Sequence, residues 1–248
     1  MDPIEPEVAV RASGSPRLAM TSIFLSPTRA FQEIAQGAHW VWPFLVCALL
    51  GIVSSVLLGG AQDAIWEKQV EEMQQRNPEI TPEALQRMHG VTKAMQFVGA
   101  PLVVLAQMAL SAGLFFLVFL IAGPHLGFKA VFRGLAYASL ISYGAYVLLV
   151  GILGFMRLQG GQTIEGPADI VPAIGLDLLA PDSEGHARGI LNSVNVFSLW
   201  WLVVLVYGFA ALSARPRAKV AAPVLAAGLI WILATGWLAG LQFRPSAG

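Results

Sequence analysis

The chain alternates long, purely apolar windows with short charged ones, and the apolar windows set its architecture. No Asp, Glu, Lys or Arg lies between Glu33 and Asp63, Lys93 and Lys129, Arg133 and Arg157, Arg188 and Arg215, or Lys219 and Arg244. Each window exceeds the roughly 20 apolar residues that cross about 30 Å of hydrocarbon, and none holds two crossings and a turn. The pattern therefore predicts five spans, near 41–60, 97–122, 135–156, 194–213 and 220–241. The runs are continuous rather than alternating, so helices are expected, because lipid offers no partner for an unpaired backbone N–H or C=O. Pro43, Pro101 and Pro223 are placed near span starts, where a missing N–H costs little. Trp40 and Trp42 open the first span, Trp200 and Trp201 lie in the fourth, and Trp237 and Phe243 lie near the end of the fifth, and some of these are candidates for an interfacial aromatic belt.

The polar windows predict further helices. Ser26 reads as an N-cap with Pro27 at the first helical position, opening an amphipathic juxtamembrane helix with Phe31 and Ile34 on its apolar side. Either the inner membrane face or the bundle itself can receive that side. Between Gln62 and Gln96 two charged helices separated by Asn77-Pro78, the second capped by Thr81, read as a solvated extramembrane hairpin. The segment 1–25 reads as a flexible cytoplasmic tail and 242–248 as a short C-terminal tail. The loop 157–193 is rich in Gly and Pro, and its mildly apolar piece 170–180 is assigned to the outer interface.

Composition sharpens this picture. Of 248 residues 56% are hydrophobic and only 12% are charged, with net charge +0. Soluble domains carry roughly a quarter charged residues, so lipid must solvate much of this surface. There is no basic footprint for nucleic acid. The two links 123–134 and 214–219 carry Lys129, Arg133, Arg215, Arg217 and Lys219 and no acid, whereas the loops 61–96 and 157–193 hold 6 and 5 acids against 4 and 2 bases. The positive-inside rule then places the N-terminus in the cytoplasm and the C-terminus outside. The brief tail and the excess of Arg over Lys suggest a bacterial inner (cytoplasmic) membrane.

Candidate chemistry is sparse. Glu71–Arg76 spells EExxxR, a motif of intramembrane CAAX-protease-like enzymes. It lies in a hydrophilic segment without the matching histidine pattern, and a solvated helix face explains it better. His39, His89, His125 and His186 are scattered, and no HExxH, GxSxG or phosphate-binding loop occurs. The expectation is a non-enzymatic protein with no cofactor or metal. Polar residues inside spans are Gln107 and Ser111 in the second, and Ser139, Ser142, Tyr143 and Tyr146 in the third, the last four on one face by spacing. They line a small polar cavity or bond between helices; the cavity would suit a small-molecule or lipid transporter. Cys47, Gly51, Ser55 and Gly59 at four-residue steps, and Gly236 with Gly240, form small-residue packing seams within the monomer, though either can serve a homo-oligomer.

Several segments together resemble the Yip domain family, named for Ypt/Rab-interacting proteins. These are SPTRAFQEI before the first span, HWVWPF at its start, FKAVFRGLAYAS at Phe128–Ser139, and Asn195, Phe197, Trp200, Gly208 and Lys219 in VNVFSLWWLVVLVYGFAALSARPRAKV. The resemblance covers about Ser26 to Leu241. It implies a five-helix membrane bundle with a cytoplasmic N-terminus. Eukaryotic members act in vesicle traffic and bind Rab GTPases and one another. Rab binding is not carried over to a bacterial-type chain, and the expected role is membrane organisation or scaffolding through helix and interfacial contacts with the bilayer and other membrane proteins.

Overall fold

The computed structural model describes residues 14–77, 79–162 and 167–243. Much of the tail expected at 1–25 and most of the tail at 242–248 lie outside these residues. Every regular segment described is helical. In chain order they are α1 (Pro16–Ser22), α2 (Pro27–Ala35), α3 (Val41–Leu57), α4 (Gly59–Arg76), α5 (Pro82–Ala122), α6 (Phe128–Ser139), a π-helical segment Leu140–Ala145, α7 (Tyr146–Gln159), α8 (Pro167–Ile170), α9 (Gly185–Ser193), α10 (Val196–Ser213) and α11 (Arg217–Ala239). Short 3₁₀ turns follow at Leu176–Leu179 and Gly240–Phe243.

Four stretches are long and apolar enough to cross a membrane: Phe97–Ala122, Phe128–Gln159, Val196–Ser213 and Arg217–Ala239. The pair α3 and α4, bent by 59°, makes a fifth if it counts as one span. The bend falls at Leu58, directly before Gly59-Gly60, where missing side chains let the axis turn. Only 33% of the apolar window in Phe97–Ala122 is buried, and side chains such as Leu110 and Ile121 point outward. That much exposed apolar surface is a lipid-facing surface.

Three sequence expectations change. Residues 16–22 belong to a helix rather than a tail: Ser15 caps it by accepting from the Leu18 N–H, and Ala19 and Ile23 are buried. Ser26 stands at the start of α2 but makes no capping bond, while the Ser15 N–H donates to Glu33 Oε2 at 2.8 Å and ties α1 to α2. Pro101 and Pro223 stand near the starts of their apolar spans but inside the helices α5 and α11, so their missing N–H does carry a cost. Each leaves the carbonyl four residues earlier without its usual donor.

The core is built where helices meet. Phe31 of α2 is buried between α6 and α10, in edge contact with Phe209 at 5.7 Å, and a methyl group added at Gly134 or Gly208 would strike its ring. Phe115, Phe119, Trp201 and Phe209 interlock at ring separations of 5.0–6.1 Å. The amphipathic face of α2 is thus spent on the bundle. Tyr137 closes the far side by donating to His39 O at 3.1 Å.

The small-residue seams are used within the chain. Gly51 lies under the Tyr143 hydroxyl and Cys47 faces Gly144. The stripe then continues through Ser54, which donates to Val147 O at 2.9 Å, and not through Ser55 and Gly59. An added side chain at Gly59 would meet nothing. Four-residue steps advance about 40° each round a helix of 3.6 residues per turn, so the stripe has drifted off the contact face by Ser55, and Gly59 lies beyond the bend on α4. Gly236 and Gly240 pack against α9, a helix from the loop expected to be irregular, with Gly189 meeting Gly236 and Gly240 backbone to backbone.

Candidate functional site

α4 and the first turns of α5 lie side by side, with the Asp63 carboxylate 2.8 Å from Lys93 Nζ and 3.2 Å from His89 Nε2. Trp66 meets the His89 ring edge-on at 5.0 Å. Lys93, chiefly by its hydrogen bond, holds the Asp63 carboxyl below the usual carboxylate range. This pair of arms buries very little: from Glu83 to Met95 only Leu85 is buried, and Val91 and Met95 are 63% and 65% exposed.

The second feature is internal. A cavity of about 280 Å³ lies between α5, the π segment, α9, the start of α10 and the end of α11. All six polar residues singled out in the second and third spans line it: Gln107, Ser111, Ser139, Ser142, Tyr143 and Tyr146. Placing four of them at or beside a π segment is significant, because the wider turn spreads side chains that an α-helix would stack, and such segments recur at functional sites.

The opposite wall went unanticipated. It consists of Asn192, Ser193, Asn195, Ser198, Trp201 and Thr235. Asn195 and Ser198 form a reciprocal capping box that starts α10, and that Asn/Ser spacing was the one sequence signal for this wall. Tyr146 donates to Asn192 Oδ1 at 3.2 Å. The Asn192 amide in turn donates to Pro172 O at 3.0 Å and to Asp177 Oδ2 at 2.8 Å. Asp177 is itself 3% exposed and accepts from the Gly175 N–H at 2.9 Å. The segment 170–180, assigned from its apolarity to the outer interface, is therefore pinned to the bundle by a buried carboxylate. A buried polar group is stable only with such partners.

Chemically, the cavity is neutral: among the described residues no carboxylate, ammonium, guanidinium or imidazole lines it. Several hydroxyls are already committed to helix carbonyls, as Ser111 is to Met108 O, Ser139 to Leu135 O and Thr235 to Trp231 O. Among the described residues no His, Cys, Asp and Glu gather as a metal site, and the EExxxR residues lie on α4, remote in the chain from the cavity lining. The arrangement is suited to hydrogen-bonding an uncharged group and holds no evident acid–base pair.

Comparison with known proteins matches residues 21–237 to the Yip1 domain, nearly the whole chain. No curated protein and no solved structure matches it.

Proposed function

The chain belongs to the Yip1 domain family of membrane proteins, and on that premise we propose that it is a non-enzymatic, five-span protein that organises or scaffolds its membrane. In this reading α3 is the first span, ending at the bend, and α4 with the first turns of α5 stands outside the bilayer as a hairpin. The basic links 123–134 and 214–219 face the cytoplasm of a bacterial cell, and the hairpin and C-terminus face the opposite side.

One observation carries the scaffold reading. The arms are ordered helices that bury almost nothing within the chain, yet they hold a paired geometry through Asp63, His89 and Lys93 and present Val91 and Met95 outward. An exposed, ordered surface with apolar side chains is what an interaction site requires. The transport alternative gains no such support: the cavity is small and has no ionisable chain of the kind that couples ions to movement.

Photo-crosslinking from position 91 in native membranes tests the role. Protein adducts that vanish when Met88→Gln and Met95→Gln are added are expected; lipid adducts alone would sink it. Orientation is read separately from single cysteines at positions 71 and 129 in a Cys47→Ala background. Position 71 should react from outside and 129 from the cytoplasm, and the reverse labelling would overturn the topology.

A further inference from the structure

The cavity holds polar groups that the chain leaves unused. Trp201 is 3% exposed, lines the cavity, and its indole N–H has no hydrogen-bond partner among the described residues. Stranding a buried donor costs roughly 1–3 kcal/mol, and an indole can only donate. Replacing Trp by Phe would have avoided that cost with similar packing against Phe115, which it meets edge-on at 5.7 Å. Elsewhere on the lining, the Gln107 amide, the Ser142 and Tyr143 hydroxyls and the Trp231 indole also make no hydrogen bond with described residues. The other polar side chains are spent: Tyr146, Asn192, Asn195 and Ser198 on one another, and the remaining serines and Thr235 on helix carbonyls. What remains open is two indole donors, one amide and two hydroxyls, in a space of about 280 Å³.

These groups specify an occupant. It must be uncharged, because a charge here would lose its hydration without gaining a counter-charge. It must offer oxygen acceptors to the indoles, and both donors and acceptors to the amide and hydroxyls. It must also tolerate the apolar stretch formed by Val147, Trp231 and Ile232. A group bearing hydroxyls and an ester carbonyl on a short carbon frame meets all of these conditions.

We propose that this cavity binds an uncharged, hydroxyl- and ester-bearing group of the acylglycerol type, with the Trp201 N–H donating to one of its oxygens. The same chemistry can arrive as a membrane lipid or as a free polyol. The site is independent of the scaffold role, since none of its lining residues lies on the arms.

The test is equilibrium binding to the full chain in phosphatidylcholine nanodiscs, with monooleoylglycerol, glycerol and oleoyl phosphatidic acid as probes. Saturable binding of monooleoylglycerol is expected, weakened about tenfold in Trp201→Phe and about fivefold in Ser142→Ala and in Gln107→Leu, the scale of one lost hydrogen bond each. Competition by glycerol alone would identify a free polyol as the source, and its failure to compete a lipid. Unsaturable binding of both neutral probes would mean a cavity filled only by water and would overturn the proposal. So would binding of the phosphatidic acid as tight as that of the neutral lipid, or full affinity in all three variants. Ser142→Ala removes a single small hydroxyl, so the outcome does not depend on Trp201→Phe folding.

Discussion

Phe31→Ala measures how firmly the N-terminal helices are clasped to the bundle. The ring is 0% exposed and fills the space that Gly134 and Gly208 leave open, beside Phe209. Truncating a buried Phe costs about 3–5 kcal/mol through lost transfer energy and the cavity left behind. α2 has only 9 residues and its other buried anchors are Ala30 and Ile34, so the loss falls on docking of this helix rather than on the whole bundle. At about 1.4 kcal/mol per factor of ten, a loss near 3 kcal/mol raises the undocked population roughly a hundredfold. Hydrogen exchange read by mass spectrometry in detergent should show that increase in peptides covering 27–35, with peptides covering 97–122 nearly unchanged. Gly208→Ala attacks the same contact from the other side, since its new methyl group would overlap the ring, and should produce the same local signature. Unchanged exchange over 27–35 in Phe31→Ala would refute the docking; a loss of protection spread evenly over all spans would refute its local character.

Three further outcomes follow from the geometry. Gly189→Ala should lower the thermal midpoint clearly, because its methyl group would collide with the backbone of Gly236 and Gly240, which cannot step aside as a side chain can. Ser54→Ala should cost only about 1 kcal/mol, the net worth of its bond to Val147 O, and a far larger shift would mean that the seam is held by something else. Asp63 has its pKa lowered by Lys93, so its contribution to arm pairing is complete above the ordinary value of 3.8 and fades as pH falls through the lower folded value. Exchange over 82–93 should therefore rise on acidification in the native chain, and Lys93→Met should flatten that response.

What the sequence made legible follows from what each signal depends on. Membrane helices announce themselves because charge is expelled from a stretch as long as the bilayer is thick, which is a property of the segment alone. The six cavity residues were visible for the same reason, as polar exceptions within apolar runs. α9 was hidden in a loop rich in Gly and Pro because its stability comes from a fit to Gly236 and Gly240 some 50 residues later, which composition does not encode. Trp201 reads as part of an interfacial belt until its neighbour Trp200 proves to be the exposed one. Asp177 reads as a loop acid until its partners Gly175 and Asn192 fold over it. Pro101 stands near the start of the span Phe97–Ala122, yet nothing local tells that α5 begins 15 residues earlier and runs through it unbroken for 41 residues.

That unbroken run makes α5 a mast. At 1.5 Å per residue it is about 60 Å long, twice the thickness of the hydrocarbon, and about 20 Å of it precede Phe97. A span that tilts to match a thinner bilayer must carry its extension along, and a tilt of about 10° would sweep the outer tip by roughly 4 Å. α4 is tied to that extension through Asp63 and Lys93, so both arms would swing together. On the proposed topology, bilayer thickness would then be written into the position of a surface outside the lipid, with no moving joint required beyond the bend at Leu58.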